Sequence, residues 1–200
     1  MFPVMSEYLE PATKGDFKIT HYDLTEERLR ISKVRDMMNR RQEFDGQQAG
    51  TIVCLHGGGE LMMSDTEMER RTNNWFFWNA HGDVLIGGLG LGMVLLGVEA
   101  KEKVKSITVI EKHQEIIDLV VPQLPLNGKV KVICGDVFGW YPDKGIAYDT
   151  IYFDIWNSIS GDNYEEMKTL HRRFARRLNR DNPCCWMSCW RHEEAKKLAK

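Results

Sequence analysis

The sequence lacks a long apolar run, a strong net charge and a leader-like first segment, and each absence excludes a class of protein. Its longest apolar run, around residues 94–98, is far shorter than the ~20 residues that cross a bilayer. A formal net charge of −2 gives no overall field toward nucleic acid or an anionic membrane. Residues 1–14 contain acids and prolines instead of a basic and then an apolar stretch, so we expect no secretory signal. We therefore expect a cytoplasmic protein whose partners include neither nucleic acid nor a membrane.

We expect the five cysteines to be reduced thiols, because their number is odd and no secretory signal is expected. Three of them lie close together in the sequence with a histidine nearby: Cys184, Cys185, Cys189 and His192. Such a group could hold a metal ion. Residues 184–190 are also short and apolar, however, which is typical of a buried strand. We favour the strand and expect no metal site.

The first part of the chain predicts one helix and a β-hairpin. Thr25 precedes a helix with acids in its first turn and with Arg40 and Arg41 in its last. Strands at 51–56 and 60–63 are joined by three glycines, which can supply the positive φ angles of a tight turn.

Two further patterns follow the hairpin. Ser64 and Glu67 have the spacing of a capping box, with Ser64 as the N-cap of a helix that runs to about Asn73. The aromatic run at 75–78 could stack on bases. The stripe of basic residues that accompanies such stacking, however, is absent on either side of the run. We expect this run to pack in the core or to cover the first strand of the sheet.

From residue 81 onward, strands alternate with helices, which predicts a parallel sheet with right-handed crossover connections. The expected strands are 83–87, 106–110, 129–134, 148–153 and 184–190, and the expected helices are 93–100, 114–121, 164–178 and 191–200. Strands 84–86 and 151–153 are almost entirely apolar, as strands buried on both faces should be. The chain thus divides into an N-terminal extension, residues 1–80, and a Rossmann-like domain, residues 81–200.

A glycine-rich turn joins the first strand of this domain to its first helix. Glycine lets the backbone approach a ligand closely, and the start of a helix offers free N–H groups. The dinucleotide fingerprint needs glycines at i, i+2 and i+5. Counted from Gly88 the last position is Met93, and counted from Gly90 it is Leu95. The spacing Gly88, Gly90 and Gly92 therefore does not favour a dinucleotide.

Acidic residues end the next three strands. Glu111 follows the second strand, where a carboxylate can accept hydrogen bonds from both hydroxyls of a ribose. Asp136 follows the third strand and Asp154 the fourth. Each acid alone also fits a helix cap or a solvated loop. Together they lie at the carboxyl edge of the expected sheet, where open α/β sheets bind ligands.

Residues 83–156 resemble class I S-adenosylmethionine (SAM)-dependent methyltransferases, most closely the spermidine-synthase-like branch. The resemblance rests on four segments: Leu85-Ile86-Gly87-Gly88, Thr108-Val109-Ile110-Glu111, Val132-Ile133-Cys134-Gly135-Asp136 and Tyr148-Asp149-Thr150-Ile151-Tyr152-Phe153-Asp154. Residues 63–69 are also similar to the segment that precedes the core in that branch. The resemblance implies a Rossmann-like methyltransferase fold with a shortened parallel sheet, preceded by the helix and hairpin.

The resemblance also implies roles for single residues. Those implied to bind SAM are Gly88, Gly90, Gly92, Glu111, Asp136 and Val137. Glu111 would hold the ribose, and Asp136 and the N–H of Val137 would bind the adenine. Asp154 would lie beside the transferred group as the catalytic residue.

Three functions remain open from the sequence. The first is a SAM-dependent methyltransferase with a small-molecule acceptor. The second is an aminopropyltransferase that uses decarboxylated SAM and a polyamine, with an acidic amine pocket formed by Asp154, Asp162, Glu165 and Glu166. Against it, Gly90 stands where that branch has an aspartate. The third is a non-catalytic SAM-binding module, which is favoured by Ile86 in place of an acid that helps to hold the methionine ammonium. Only five strands are expected, so either the sheet is minimal or a second subunit covers its edge in a homo-oligomer.

Overall fold

A computed structural model describes residues 2–39 and 43–200 of the chain. These residues form two sheets that share a hydrophobic core. The first sheet is antiparallel, and its strands follow one another in space as in sequence: Ala12–Lys14 (β1), Phe17–Leu24 (β2), Gly50–Gly57 (β3) and Glu60–Ser64 (β4). The predicted hairpin corresponds to β3 and β4. The two preceding strands were not predicted, so that expectation is corrected: the extension contains a four-stranded sheet.

The two missed strands carry no alternating pattern because β2 serves two different clusters. Its buried residues are Ile19 and Leu24, whose odd spacing places them on opposite faces of the strand. Ile19 joins the main core, whereas Leu24 packs with Leu29 and Ile52 beneath the first helix. The burial pattern therefore does not repeat every second residue, and periodicity could not find the strand.

The first helix, Glu26–Met38 (α1), begins where the sequence predicts. Thr25 is its N-cap, and the hydroxyl of Thr25 accepts the N–H of Arg28 at 3.3 Å. The predicted last turn with Arg40 and Arg41 lies outside the described residues.

Two short helices, Glu67–Thr72 (α2) and Asn74–Asn79 (α3), follow the first sheet. The predicted capping box is wrong: Ser64 is the last residue of β4, where it pairs with Cys54, and Thr66 occupies the N-cap position of α2. The sheet register therefore outweighed the local capping pattern.

The aromatic run is divided between the core and the surface. Phe76 is fully buried and stacks on Tyr152, with 4.3 Å between the ring centroids and 6° between the ring planes. Trp75 and Trp78 are instead 77% and 73% exposed. The core prediction is therefore correct for Phe76 and wrong for the two tryptophans, which lie on the outward side of α3.

The second sheet is parallel and contains the strands Gly82–Gly87 (β5), Val104–Glu111 (β6), Val130–Cys134 (β7), Thr150–Phe153 (β8) and Trp186–Cys189 (β9). Its helices are Met93–Glu99 (α4), Gln114–Val120 (α5), Gly161–Phe174 (α6) and His192–Leu198 (α7). Each lies where the sequence predicts, with ends that differ by a few residues. The Rossmann-like α/β fold is thus confirmed.

The strand order of the parallel sheet, β7-β6-β5-β8-β9, creates a crevice at the end of β5. From β5 the chain moves to β6 and β7 on one side, and later to β8 and β9 on the other. Such a switch point is where open α/β sheets bind ligands. At the outer edge, β9 pairs with β8 within the described residues, and coverage of this edge by a second subunit stays a prediction.

One hydrophobic cluster connects the two sheets. It contains Val53 and Leu55 of β3, Phe76 of α3, and Val84 and Ile86 of β5. Because neighbouring side chains of a strand face opposite sides, Leu85 packs in a second cluster on the other face of the parallel sheet. No helix within residues 2–39 and 43–200 is long and apolar enough to cross a membrane.

Candidate functional site

A cavity of about 300 Å³ lies at the carboxyl ends of β5, β6, β7 and β8. Six of the seven predicted site residues line it: Gly88, Gly90, Glu111, Asp136, Val137 and Asp154. The seventh, Gly92, does not line the cavity. It packs against Leu124, whose Cδ1 would lie 2.5 Å from a Cβ placed on Gly92. The strand order therefore brings together residues that are far apart in the sequence.

The glycines of the loop are required by contacts within the protein. Gly88 has φ +97°, and a Cβ on it would lie 2.0 Å from the carbonyl oxygen of Asp154. Gly90 has φ +52°, and its Cβ would lie 2.1 Å from Sδ of Met63. The same sulfur accepts the N–H of Leu91 at 3.2 Å. The loop is thus packed between β8 and β4, and its contact with the methionine part of SAM stays a prediction.

Glu111 links the end of β6 to this loop. It is 6% exposed, and its Oε2 accepts the N–H of Leu89 at 2.9 Å, while its Oε1 accepts the N–H of His113 at 2.9 Å. An ionised carboxylate has about four acceptor positions. Two acceptor positions therefore remain for donors of a ligand in the cavity.

Asp136 and Val137 form the side of the cavity beyond β7. Oδ1 of Asp136 accepts the N–H of Phe138 at 2.9 Å, and Oδ2 forms an ion pair with Nζ of Lys112 at 3.3 Å. The hydrogen bond from the Phe138 N–H keeps the pKa of Asp136 below its usual value; burial acts in the opposite direction, and the hydrogen bond and charge of Lys112 add to the lowering. Asp136 is thus an ionised acceptor at neutral pH beside the buried Val137.

Asp154 directly follows β8, and its backbone N–H donates to the carbonyl oxygen of Gly87 at 2.8 Å. Burial raises the pKa of the Asp154 carboxyl to about 7, although a hydrogen bond with the Asn73 side chain acts in the opposite direction. Asn73 is itself fixed, since its Oδ1 accepts the hydroxyl of Tyr152 at 2.8 Å. A carboxyl group with such a pKa can both take up and release protons near neutral pH.

Sequence reasoning missed Glu69, which lines the same cavity from α2 and is 9% exposed. Burial and then the charge of Asp154 raise the pKa of Glu69 to about 8, while Arg191 lowers it. The only signal in the sequence was that Glu69 belongs to the segment 63–69 that precedes the core. Nothing local distinguishes it from the other acids of that helix.

The acidic pocket expected for an aminopropyltransferase forms only in part. Asp162 and Glu165 are exposed on α6, and Glu165 forms an ion pair with Lys168 at 2.6 Å. Glu166 does line the cavity, where it accepts the indole N–H of Trp156 at 2.6 Å. Of that predicted set, the fold brings Asp154 and Glu166 to the cavity, where Glu69 adds a carboxyl group that was not predicted.

Of the cysteine group near the end of the chain, Cys189 lies in β9, where a strand was predicted, whereas Cys184 and Cys185 precede that strand. Cys189 is buried at the end of β9, with 3.4 Å between its Sγ and Nε2 of His171. Cys184 is exposed before the strand begins. In the part of the chain that the structure describes, no His, Cys, Asp and Glu side chains are grouped as metal ligands.

The sequence matches no protein-family model and no curated protein. Among solved structures, it is similar to the plantazolicin methyltransferase BpumL in complex with SAH (S-adenosylhomocysteine), with 17% identity, a TM-score of 0.42, and coverage of 77% of this chain and 50% of that one. It is also similar to the N-methyltransferase NodS from Bradyrhizobium japonicum WM9 in complex with SAH, with 14% identity, a TM-score of 0.43 and 56% coverage of both chains.

A third similar structure is SAM-bound CalS10, an amino pentose methyltransferase from Micromonospora echinaspora, with 18% identity, a TM-score of 0.37, and coverage of 55% of this chain and 42% of that one. The chain thus spans about half the length of the structures that it matches. At these identities and TM-scores, the similarity is one of general arrangement of helices and strands and of nothing finer.

Proposed function

We propose that the protein is a SAM-dependent methyltransferase with a small-molecule acceptor. The observation that carries the proposal is the single cavity that collects six predicted site residues from four strand ends. The methyltransferases with similar folds were solved with SAH or SAM bound, which agrees with this choice of ligand. The finer resemblance to the spermidine-synthase-like branch stays a prediction.

The donors and acceptors of the cavity suit an adenosyl group. Glu111 has two free acceptor positions for the ribose hydroxyls. Asp136 can accept from the adenine amino group, and the neighbouring Val137 offers a backbone N–H. When bound, SAM would supply an electrophilic methyl group: a nucleophile in line with the C–S bond can bond to the methyl carbon as that bond breaks and its electrons stay on sulfur.

Asp154 is proposed to take a proton from the acceptor. Its pKa of about 7 places the carboxyl close to half-ionised at neutral pH, which is the useful range for a general base. Its backbone carbonyl lies against Gly88, and both residues line the cavity. Methyl transfer otherwise depends mainly on positioning the two reactants.

Binding measurements with four ligands test the proposal: SAM, SAH, decarboxylated SAM and NAD. At a hundred times its dissociation constant, SAH should stabilise the fold by ~2.7 kcal/mol, observed as a rise in melting temperature. A rise with NAD and none with SAM or SAH would contradict the proposal.

The same panel separates the alternatives. Gly90 packs against Met63 and offers no carboxylate for the amine of decarboxylated SAM, so intact SAM should bind more tightly. Preference for the decarboxylated compound would favour aminopropyl transfer. Tight SAM binding without methyl transfer to any acceptor in a broad panel would favour the non-catalytic module.

A further inference from the structure

Two carboxyl groups enter the same cavity from different parts of the fold. Glu69 lies on α2 of the N-terminal region, and Asp154 follows β8 of the parallel sheet. Asn73 lies between the two elements: its side-chain amide donates to the backbone carbonyl oxygen of Glu69 at 3.0 Å, and its side chain forms a hydrogen bond with the Asp154 carboxyl. Buried contacts therefore hold the helix that carries Glu69 beside Asp154.

The carboxyl group of Glu69 has no partner of its own. Within residues 2–39 and 43–200 it receives no hydrogen bond and forms no ion pair, although Glu69 is 9% exposed. A largely buried carboxyl group without a protein partner needs an explanation, and a ligand or water that completes its contacts is one such explanation. Because Glu69 lines the cavity, the missing partner can come from a molecule bound there.

The charges around this pair favour a cation. Glu166 also lines the cavity, and Tyr152 and Cys189, which are close enough to Asp154 for its charge to raise their pKa values, are neutral. Arg191 is the cation that acts on Glu69, but its guanidinium donates to Glu194 at 2.7 and 2.6 Å. The cavity therefore offers a positive ligand more compensation than a negative one.

Aromatic side chains border the same region. Trp190 is buried and lines the cavity, and its indole N–H donates to the hydroxyl of Thr72 at 2.9 Å. Trp156 is held by Glu166 on another side. Aromatic faces attract alkylammonium groups, and their apolar area suits the carbon part of such a ligand.

We infer that Glu69 and Asp154 form the acceptor subsite and that the acceptor is an amine that enters as an ammonium ion. The inference rests on the proposed methyltransferase function. In the step, the ammonium nitrogen gives one proton to the carboxyl pair. Its lone pair then forms a bond to the methyl carbon, while the C–S bond breaks and its electrons stay on sulfur. The products are the N-methylated ammonium ion and SAH, and the proton passes from the pair to solvent.

Calorimetric titration of benzylamine into the SAH-saturated protein tests the inference, with benzyl alcohol and benzoate as neutral and anionic counterparts of similar shape. The wild-type protein should bind the amine at least about tenfold more tightly than the alcohol, as expected for a charge-assisted hydrogen bond. Glu69→Gln should remove most of this preference while SAH affinity is retained. Glu67→Gln, on the same helix and outside the cavity, is the matched control and should keep the preference.

The pH dependence gives a second readout. Amine affinity should rise as the pH passes through about 7 to 8, because Asp154 and Glu69 ionise there while benzylamine remains protonated. The affinity for benzyl alcohol should not follow this change. Glu69→Gln should shift the rise to a lower pH, because the group with the higher pKa is gone and Asp154, with a pKa of about 7, remains.

Failure of the inference can be distinguished from failure of the proposed function. If SAH binds and benzylamine shows no preference over the alcohol, the amine subsite is overturned and the methyltransferase proposal stands. If SAH does not bind, the proposed function fails, and the same titration with the ligand-free protein then tests the amine subsite by itself. Loss of the preference in both Glu69→Gln and Glu67→Gln would also overturn the subsite.

Discussion

The carboxylate of Glu111 accepts the backbone N–H of Leu89 at 2.9 Å, so a side chain at the end of β6 holds the loop that follows β5. The acid that the sequence assigns to the ribose thus also shapes the glycine loop before any ligand binds. We therefore predict that ligand binding and stability are linked through this one residue.

Replacing Glu111 with alanine should weaken both properties. The variant loses two charge-assisted hydrogen bonds to backbone N–H groups, which together should lower the free energy of unfolding by ~1–3 kcal/mol. SAH affinity should also fall at least about tenfold, because the ribose loses its acceptor. Urea unfolding and calorimetry measure the two effects. Glu102→Ala, at an exposed position before β6, should change neither, and unchanged SAH affinity in Glu111→Ala would contradict the ribose role.

Gly88→Ala and Gly90→Ala should both destabilise the protein, but a second substitution should recover stability only in Gly90→Ala. Both positions have positive φ, which costs ~1–2 kcal/mol for a residue with a Cβ. At Gly90 the new Cβ meets the end of the flexible Met63 side chain, whereas at Gly88 it meets the backbone of Asp154. Met63→Ala should therefore recover part of the stability lost in Gly90→Ala and none of that lost in Gly88→Ala. A double-mutant cycle by denaturant unfolding checks this, and equal recovery in both backgrounds would refute it.

The raised pKa values of Glu69 and Asp154 should make the ligand-free protein less stable as the pH rises. The ordinary values are 4.5 and 3.8, and the folded values are about 8 and about 7. Between these limits the folded state keeps protons that the unfolded state releases. The contribution is therefore complete below about pH 4 and lost above about pH 8, with a slope of up to ~1.4 kcal/mol per pH unit for each proton.

Comparison of wild type with Glu69→Gln isolates this effect. Chemical unfolding at several pH values between about 6 and about 9 should give a shallower loss of stability in the variant, since one titrating group is gone. Glu67→Gln should retain the wild-type slope. Identical slopes for all three proteins would mean that Glu69 titrates near its ordinary pKa.

The buried contact between Tyr152 and Asn73 should stabilise the junction of α2 with β8. Tyr152→Phe leaves Oδ1 of Asn73 without its donor, which should cost ~1–2 kcal/mol of unfolding free energy. The same change in an Asn73→Ala background should cost much less, because the partner is already absent. Tyr22→Phe, at an exposed position of β2, serves as the control. Equal costs of Tyr152→Phe in both backgrounds would exclude the coupling.

Much of the parallel sheet could be predicted from sequence because its signals are local. Short apolar runs such as the residues of β8 are typical of strands buried on both faces, and the strand order brings together the acids that follow them. Glu111 and Asp154 were found in this way. Their hydrogen bonds and pKa values depend on contacts that the sequence order does not reveal.

The missed features depend on long-range contacts. Ser64 has the local pattern of an N-cap, but pairing with Cys54 places it in a strand. Glu69 lies on a short helix among other charged residues, and only the packing of Asn73 against Tyr152 places it beside a residue that is distant in the sequence. Local patterns thus predict the elements, and packing between them decides which side chains share a site.

The hydrophobic cluster that joins the two sheets has a consequence for how the protein opens. Val53 and Leu55 of β3 share this cluster with Val84 and Ile86 of β5, so neither sheet can separate without exposing apolar side chains of the other. We therefore expect one cooperative unfolding unit that crosses residue 80. In native-state hydrogen exchange, the slowest amides of β3 and β5 should report the same opening free energy, and the position of Glu69 relative to Asp154 should persist until that global opening.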